Sequence, residues 1–306
     1  MERGLVSVVI TTYQRPINYV SEALNSVLNQ TYNKIEVIIV DDNGANSKYA
    51  IKLDKLIEMD SRVRIIHNPQ NIGAQKSRNL GVQESRGEFI AFLDDDDIWE
   101  NRKIEKQLEL FVSDDIGMAY CDGYSFVDGD MTKLGVFREA SYYKKPISHR
   151  LEMFNDFIGS TSQALIRKDV FLNVGLFDEQ MPARQDYEMW LRISSKYKIV
   201  GTEEKLLYYR IHPGDRISTN AEKCYRSYRL ILEKYQKDYN SNSYAKAKIL
   251  LRMFEMAKRK KNIREAVDAL FDAIAISPQC VIDVVVRRIR KESFMDFYGK
   301  MIDTLY

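Results

Sequence analysis

The chain of 306 residues is poor in cysteine, proline and histidine and has no long apolar run. Its three cysteines (Cys121, Cys224, Cys280) are widely spaced with no CxxC pair, which excludes a zinc site or a disulfide framework and points to reduced thiols in a cytoplasmic setting. Six prolines and fourteen glycines are too few for a collagenous or low-complexity chain. No window approaches the roughly 18 uninterrupted apolar residues of a membrane span, and the start MERGLVSVVITTY lacks the pattern of a signal peptide. Neither sign of charge dominates. The 46 Lys+Arg against 44 Asp+Glu leave +2, without the global field of a nucleic-acid binder. No G-x-G-x-x-G and no P-loop lysine motif follows the first apolar run, which argues against dinucleotide oxidoreductases and P-loop NTPases.

What is present is ordinary globular composition, 45% apolar and 29% charged, over about two domains' length. Leu5–Ile10, Ile35–Val40, Val63–Ile66 and Glu88–Leu93 are short apolar, β-branched runs. Helical periods separate them at Ile17–Gln30, Ser47–Met59 and Ala74–Glu84. Near-continuous apolar strands alternating with helices predict an α/β fold with a doubly wound, mostly parallel sheet flanked by helices. Ligands in such sheets sit outside the carboxyl ends of the strands. From Gly117 to Tyr143 the pattern is turn-rich and predicts antiparallel additions. Helical character returns at Arg150–Phe157, Lys168–Val174 and Asp186–Lys196, followed by strand-like pieces at Lys198–Val200 and Leu206–Ile211.

Beyond Ala221 the chain reads as helical, broken at Asp238–Ser243 and Ser277-Pro278. Residues 221–306 carry 18 basic and 11 acidic side chains, against 28 and 33 in residues 1–220. The expected organisation is a catalytic domain over 1–220 and a basic helical region over 221–306.

Three strand ends carry the candidate chemistry. Asp94-Asp95-Asp96-Asp97 follows an apolar strand, and adjacent carboxylates repel unless a cation or solvent compensates them. Oxygen ligands suit a hard ion such as Mg²⁺ or Mn²⁺. A solvated turn capping the next helix explains the tetrad alone equally well, and its place at the ligand edge of the sheet favours the cation. Asp41-Asp42 before Asn43-Gly44 reads either as an Asx-turn or as a carboxylate accepting from a nucleoside. Thr11, Tyr13, Arg15 and Pro16 end the first strand, where an aromatic can stack a base and Arg15 can neutralise phosphate; an ordinary strand-to-helix turn uses the same residues.

The ordered series LVSVVITTYQRP, VDDN, NIGAQKSRNLGVQESRGEFIAFLDDDDIW, GSTSQALIRKDVFLNVGLFDEQMPARQDYEMWLRISSKY and YYRIHPGDRIS, over residues 4 to 218, resembles the family 2 glycosyltransferases of GT-A fold. The resemblance implies that Thr11, Tyr13 and Asp42 contact the uridine of a UDP-sugar. It places the family's DxD motif on Asp94-x-Asp96, with Asp96 as metal ligand and Asp94 on the ribose or sugar. Asp95 joins the donor-contacting group, and Asp95-x-Asp97 also fits the spacing. Arg78 is expected in an ion pair with a nearby acid or, less favoured, on the nucleotide. The catalytic base falls on Asp186, where Gln185-Asp186 replaces the family's Glu-Asp pair, with Glu188 as a weaker candidate. His212 matches a histidine that completes the metal site or contacts the diphosphate; His67 and His149 read as ordinary surface or core residues.

The chemistry implied is a Mn²⁺- or Mg²⁺-dependent inverting transfer of a hexose from a UDP-sugar to a saccharide acceptor, as in bacterial-type surface polysaccharide synthesis. Nucleotidyl transfer onto a sugar phosphate would show a glycine- and lysine-rich loop where TTYQRP stands, and a non-catalytic scaffold would not need Asp42, Asp94, Asp96, Asp186 and His212 together. In the tail, NIREAVDALFDAIAISP resembles a single tetratricopeptide-like helix, too little for a solenoid. The basic clusters 258–261 and 287–291 are solvated helix faces or, on the sharper reading, a peripheral contact with anionic lipid headgroups.

Overall fold

A computed structural model describes residues 1–57, 60–138, 158–212 and 220–290. They fall into two compact units: 1–138, 158–179 and 192–212 in the first, and 180–191 and 220–290 in the second.

In the first unit, β1 (Glu2–Thr12), β2 (Ile35–Asp41), β3 (Val63–His67) and β4 (Gly87–Asp94) form a parallel half-sheet in the order β3-β2-β1-β4. The crossovers are α1 (Ile17–Leu28), α2 (Lys48–Ile57) and α3 (Ala74–Glu84). β2 is buried along its whole length, as expected of a strand covered on both faces. Val6, Val8, Ile10, Val37, Ile39, Ala91 and Leu93 form one continuous core with Ala23, Leu24 and Val27 of α1.

The second half of the sheet is mixed. β5 (Ile98–Trp99) and α4 (Lys103–Leu108) precede a hairpin of β6 (Ile116–Val127) and β7 (Asp130–Arg138), antiparallel as the turn-rich sequence predicts. A 3₁₀ turn at Thr161–Gln163 leads into β8 (Ala164–Arg167), which pairs antiparallel with both β4 and β6 and so joins the halves. After α5 (Lys168–Val174) and α6 (Gln185–Ser194) comes β9 (Lys198–Ile211), parallel to β6 and antiparallel to β5. The two strand pieces expected around residues 198 and 206 are one strand. Its register shifts where Cys121 faces Thr202 and Asp122 faces Lys205, so the polar Thr202–Lys205 stretch is a bulge rather than a break. The expected helix Arg150–Phe157 lies outside the described residues.

In the second unit, α7 (Ala221–Lys234), α8 (Gln236–Ser241), α9 (Ser243–Arg259), α10 (Ile263–Ile276) and α11 (Pro278–Arg290) follow one another. Asn220, Asn242 and Asn262 cap α7, α9 and α10 by accepting from the backbone N–H three residues on. The expected break at Asp238–Ser243 therefore narrows to the capping residue Asn242. α10 buries Ala266, Ala269 and Ala273 and packs on α9.

One glycine sets how closely α3 lies on β1. A Cβ on Gly81 would stand 2.4 Å from Val9 Cγ1, so only a missing side chain lets the helix rest there. Gly81→Ala is expected to lose about 1–3 kcal/mol in chemical denaturation through overpacking, despite a helix-propensity gain of about 1 kcal/mol. Val9→Ala added to it should recover part of the loss, and a single variant as stable as the wild type would contradict this packing.

Candidate active site

Strand register gathers the site. Thr11 lies opposite Val40 on one side and Asp94 on the other, Thr12 opposite Asp41, and Asp41 opposite His67. Parallel strands that end level present these residues at one edge of the sheet.

The four consecutive acids have four different environments. The Asp97 N–H donates to the Asp94 carbonyl at 3.1 Å, closing a turn, and burial alternates along it: Asp94 and Asp96 stay accessible while Asp95 and Asp97 are buried. Arg78 is buried and donates from Nη2 to Asp94 Oδ1 at 2.7 Å, the ion-pair role the sequence favoured. The Asp94 N–H donates to Ser162 Oγ at 3.0 Å, and that hydroxyl donates to Asp97 Oδ2 at 2.8 Å. Asp97 also accepts from the Arg210 N–H at 3.2 Å. Burial, with Asp96 and Asp94 close by, pushes the Asp97 carboxyl well above the usual carboxylate range. Asp97 is therefore a buried anchor, and Asp94 and Asp96 are the pair of the tetrad that faces out.

Arg15 lies across the outer face of the turn. Its Nε donates to Asp95 Oδ1 at 2.8 Å and its Nη2 stands 3.1 Å from Asp96 Oδ2. Burial pushes the Asp95 carboxyl up to about 7 against the lowering pull of Arg15. Burial alone would lower the Arg15 pKa, but Asp95 and Asp96 carry it above its ordinary value. His212 Nε2 is 2.9 Å from Asp96 Oδ2 and 3.1 Å from Arg15 Nη1. One ring nitrogen cannot donate to a carboxylate and accept from a guanidinium at once, so this apposition satisfies one contact at a time.

The donor set fits a hard divalent ion in part. Adjacent ligands of an octahedral Mg²⁺ at about 2.1 Å are about 3 Å apart, close to the Asp96–His212 spacing. Two protein ligands leave the remaining positions to water and phosphate oxygens, the usual arrangement for such ions. Among the described residues no three His, Cys, Asp or Glu side chains gather into a ready-made cage.

The other strand ends are more structural than the sequence suggested. Asp42 is buried and accepts from Asn68 Nδ2 at 2.9 Å, the Ile72 N–H at 2.8 Å and the Gly73 N–H at 2.9 Å, which fixes the loop entering α3. Asp41 forms the Asx-turn with Asn43 and pairs with His67 Nδ1 at 2.7 Å. Tyr13 is half exposed. The next residue, Gln14, takes a left-handed φ of 50° and donates its N–H to Asn43 Oδ1 at 2.6 Å, tying the two loops together.

Asp186 belongs to the second unit, in the first turn of α6, two residues after Arg184 with its left-handed φ of 56°. Glu188 is fully buried and accepts from Lys234 Nζ at 2.6 Å and the Tyr235 hydroxyl at 2.9 Å. It is a structural anchor within the second unit.

Two contributors went unassigned in the sequence. Arg210 is buried, donates to the Asp96 carbonyl at 2.8 Å and to Asp128 at 2.7 Å, pairs with Glu22, and lies 4.4 Å over the Tyr19 ring. Its signal was its place two residues before His212, at the end of β9, where side chains two apart point to one face. Ser162 sits in a capping box formed by Ser160 and Gln163, legible as the S-x-x-Q spacing in GSTSQ.

With this geometry in place, the comparisons identify the class. The family model described as glycosyl transferase family 2 matches residues 7–175, more than half of the chain. The chain belongs to that family. An uncharacterized glycosyltransferase of Methanocaldococcus jannaschii is 33% identical over 249 residues, covering 80% of this chain and 84% of that protein. A putative teichuronic acid biosynthesis glycosyltransferase of Bacillus subtilis, TuaG, is 31% identical over 226 residues, covering 72% and 84%. Among solved structures, residues 1–349 of S. aureus TarS in complex with UDP-GlcNAc match at a TM-score of 0.66 and 19% identity, over 91% of this chain and 83% of that one. The Pyrobaculum calidifontis mannosyltransferase PcManGT with GDP-Man and Mn²⁺ matches at 0.59 and 15%, over 97% and 83%. The fold is GT-A.

His67 makes the sheet edge sensitive to pH. Partial burial would lower its pKa, but hydrogen bonds to Asp41 and Asp54 outweigh it and the net shift is upward. A His raised above its unfolded value of about 6.5 adds stability fully below that pH and loses it as pH rises through the folded value. The melting-temperature gap between wild type and His67→Gln should be widest below about pH 6.5 and shrink at higher pH; a gap independent of pH would contradict the pairing.

Proposed function

We propose that the chain is a metal-assisted, inverting glycosyltransferase that moves a hexose from a UDP-sugar to a saccharide acceptor during surface-polysaccharide assembly, working at the cytoplasmic side on a lipid-carried acceptor. We take residues 1–220 as the catalytic domain and 221–306 as its helical appendix. The observation that carries the reading is the convergence of Asp96 and His212, 2.9 Å apart, beside accessible Asp94 and Arg15 at the ligand edge of the sheet. The relatives support it: one is named a putative teichuronic acid biosynthesis glycosyltransferase, and two fold neighbours are complexes with nucleotide-sugars, one of them with Mn²⁺.

Asp96 and His212 would hold the divalent ion, with Asp94 beside the donor and buried Asp95 acting through Arg15, to which it is paired, rather than on the donor itself. When bound, that ion supplies positive charge to the diphosphate as it departs. Thr11 and Tyr13 receive the nucleoside, with Tyr13 offering its ring to the base. Asp42 acts mainly by holding the loop that borders this site, and Arg78 keeps Asp94 in place. Arg15 balances the carboxylates at rest and turns to the diphosphate once the donor arrives. The acceptor hydroxyl attacks the anomeric carbon from the face opposite the leaving group. The bond to the diphosphate breaks with its electron pair on the nucleotide, and the hydroxyl proton passes to Asp186. A single displacement inverts the anomeric centre and needs no protein nucleophile.

Incubating the protein with a panel of UDP- and GDP-sugars, Mn²⁺ or Mg²⁺ and saccharide acceptors, and reading nucleotide release and product mass, tests the reading. UDP-sugars should be consumed with metal dependence. Asp186→Asn should lower kcat by about 10²–10⁴-fold while nucleotide affinity stays within about twofold, and unchanged turnover would remove Asp186 as the base. Asp96→Asn should abolish the response to Mn²⁺; full metal stimulation in that variant would overturn the metal assignment.

A further inference from the structure

α10 has three distinct faces. Its small residues Ala266, Ala269 and Ala273 are buried against the bundle, while Ile263, Val267, Phe271 and Ile274 are 80%, 44%, 68% and 42% exposed. At 100° per residue these four fall within roughly 80° of arc, the apolar stripe of an amphipathic helix turned away from its own core. Asp268 and Asp272 lie roughly 100–140° around from the centre of the stripe, beyond Arg264 on the flank away from the buried alanines. The stripe is fringed at its start by exposed Lys258, Arg259, Lys261 and Arg264, whereas Lys260 is held by Glu222 and Glu265. α11 exposes Ile282 and Val285 and ends in Arg287, Arg288 and Arg290.

We propose that this face docks on an anionic bilayer surface, with Ile263, Val267, Phe271 and Ile274 seated at the headgroup–acyl boundary and the flanking Lys and Arg on the headgroups. Apolar side chains rimmed by basic ones are the pattern of a helix lying in the interface plane. Anionic headgroups attract such a fringe, and Arg264 beside the stripe can bury its stem while keeping its charge in the headgroup layer. α10 alone is too short to span. α10 has 14 residues, about 21 Å at 1.5 Å per residue, against a hydrocarbon core of about 30 Å. The continuation into α11 is bent by 110°, and no single described helix is long and apolar enough to cross. A second copy of the chain is the poorer occupant. A two-fold contact sets a patch against itself, and the last turn of α10, 273–276, offers no acid to the basic start of its mate. The proposal does not depend on the donor or metal assignments above.

Flotation of the full chain with phosphatidylcholine vesicles, with and without about a third phosphatidylglycerol, tests it. Wild type should float with the anionic vesicles at least tenfold more than with the neutral ones, and less in high salt. Val267→Glu/Phe271→Glu should lose that binding while keeping the wild-type circular dichroism. Phe271→Trp gives an independent reading if the double variant does not fold: its emission should shift to the blue on adding anionic vesicles, relative to the parent with Trp99 and Trp190. Absence of wild-type flotation, equal flotation of the double variant, or an unshifted emission from Phe271→Trp overturns the proposal. So does a wild-type dimer in sedimentation that Phe271→Glu converts to monomer, since the face is then an interface between copies.

Discussion

Everything at the site depends on keeping four carboxylates together in one turn. Two ionised carboxylates about 5 Å apart repel by about 3 kcal/mol at an effective dielectric near 20, so Asp94–Asp97 needs positive charge and hydrogen-bond donors from all sides. The fold delivers them from separate places in the chain: Arg15 from the end of β1, Arg78 from α3, Ser162 from the turn before β8, and Arg210 and His212 from the end of β9. Asp95 and Asp97 are sealed inside this frame, which leaves Asp94 and Asp96 outward. That same frame holds the carboxylate–imidazole pair suited to a cation at the mouth of the sheet.

The parallel half-sheet was legible because its signals are local. LVSVVI and IEVIIV are continuous apolar runs whose residues are buried in β1 and β2, and α3 falls on the 74–84 period the sequence shows. The mixed half was less so. β8 joins β4 to β6, and β9 runs beside β6 from some eighty residues away, so no local residue pattern announces those pairings. The polar Thr202–Lys205 stretch looked like a break for the same reason, since a bulge is defined by the partner strand.

Within the site, the sequence named residues that the fold brings to one sheet edge but did not show the contacts each one makes there. The tetrad reads in two registers by sequence, and only the fold shows that Asp94 and Asp96 are accessible while Asp95 and Asp97 are buried. Asp42 and Glu188 are typical site-motif acids by sequence, yet each accepts from partners distant in the chain that only the fold brings near: Asn68 and the 72–73 backbone for one, Lys234 and Tyr235 for the other. Arg210 was hidden because its partners, Glu22, Asp128 and the Asp96 carbonyl, come from three other segments. In the appendix the basic runs were visible from composition. The outward turn of Val267 and Phe271 was not, because apolar spacing on a helix is the same whether its stripe faces a core or a bilayer.

The central claim is that the turn at the end of β4, together with the imidazole at the end of β9, grips a cation shared with a nucleotide diphosphate. Pulsed EPR on the complex of protein, Mn²⁺ and UDP measures this directly. The account predicts a ¹⁴N coupling from a directly bound imidazole, absent in His212→Asn, together with a ³¹P coupling from the diphosphate. A Mn²⁺ signal carrying only water protons, or phosphorus without nitrogen, would contradict it.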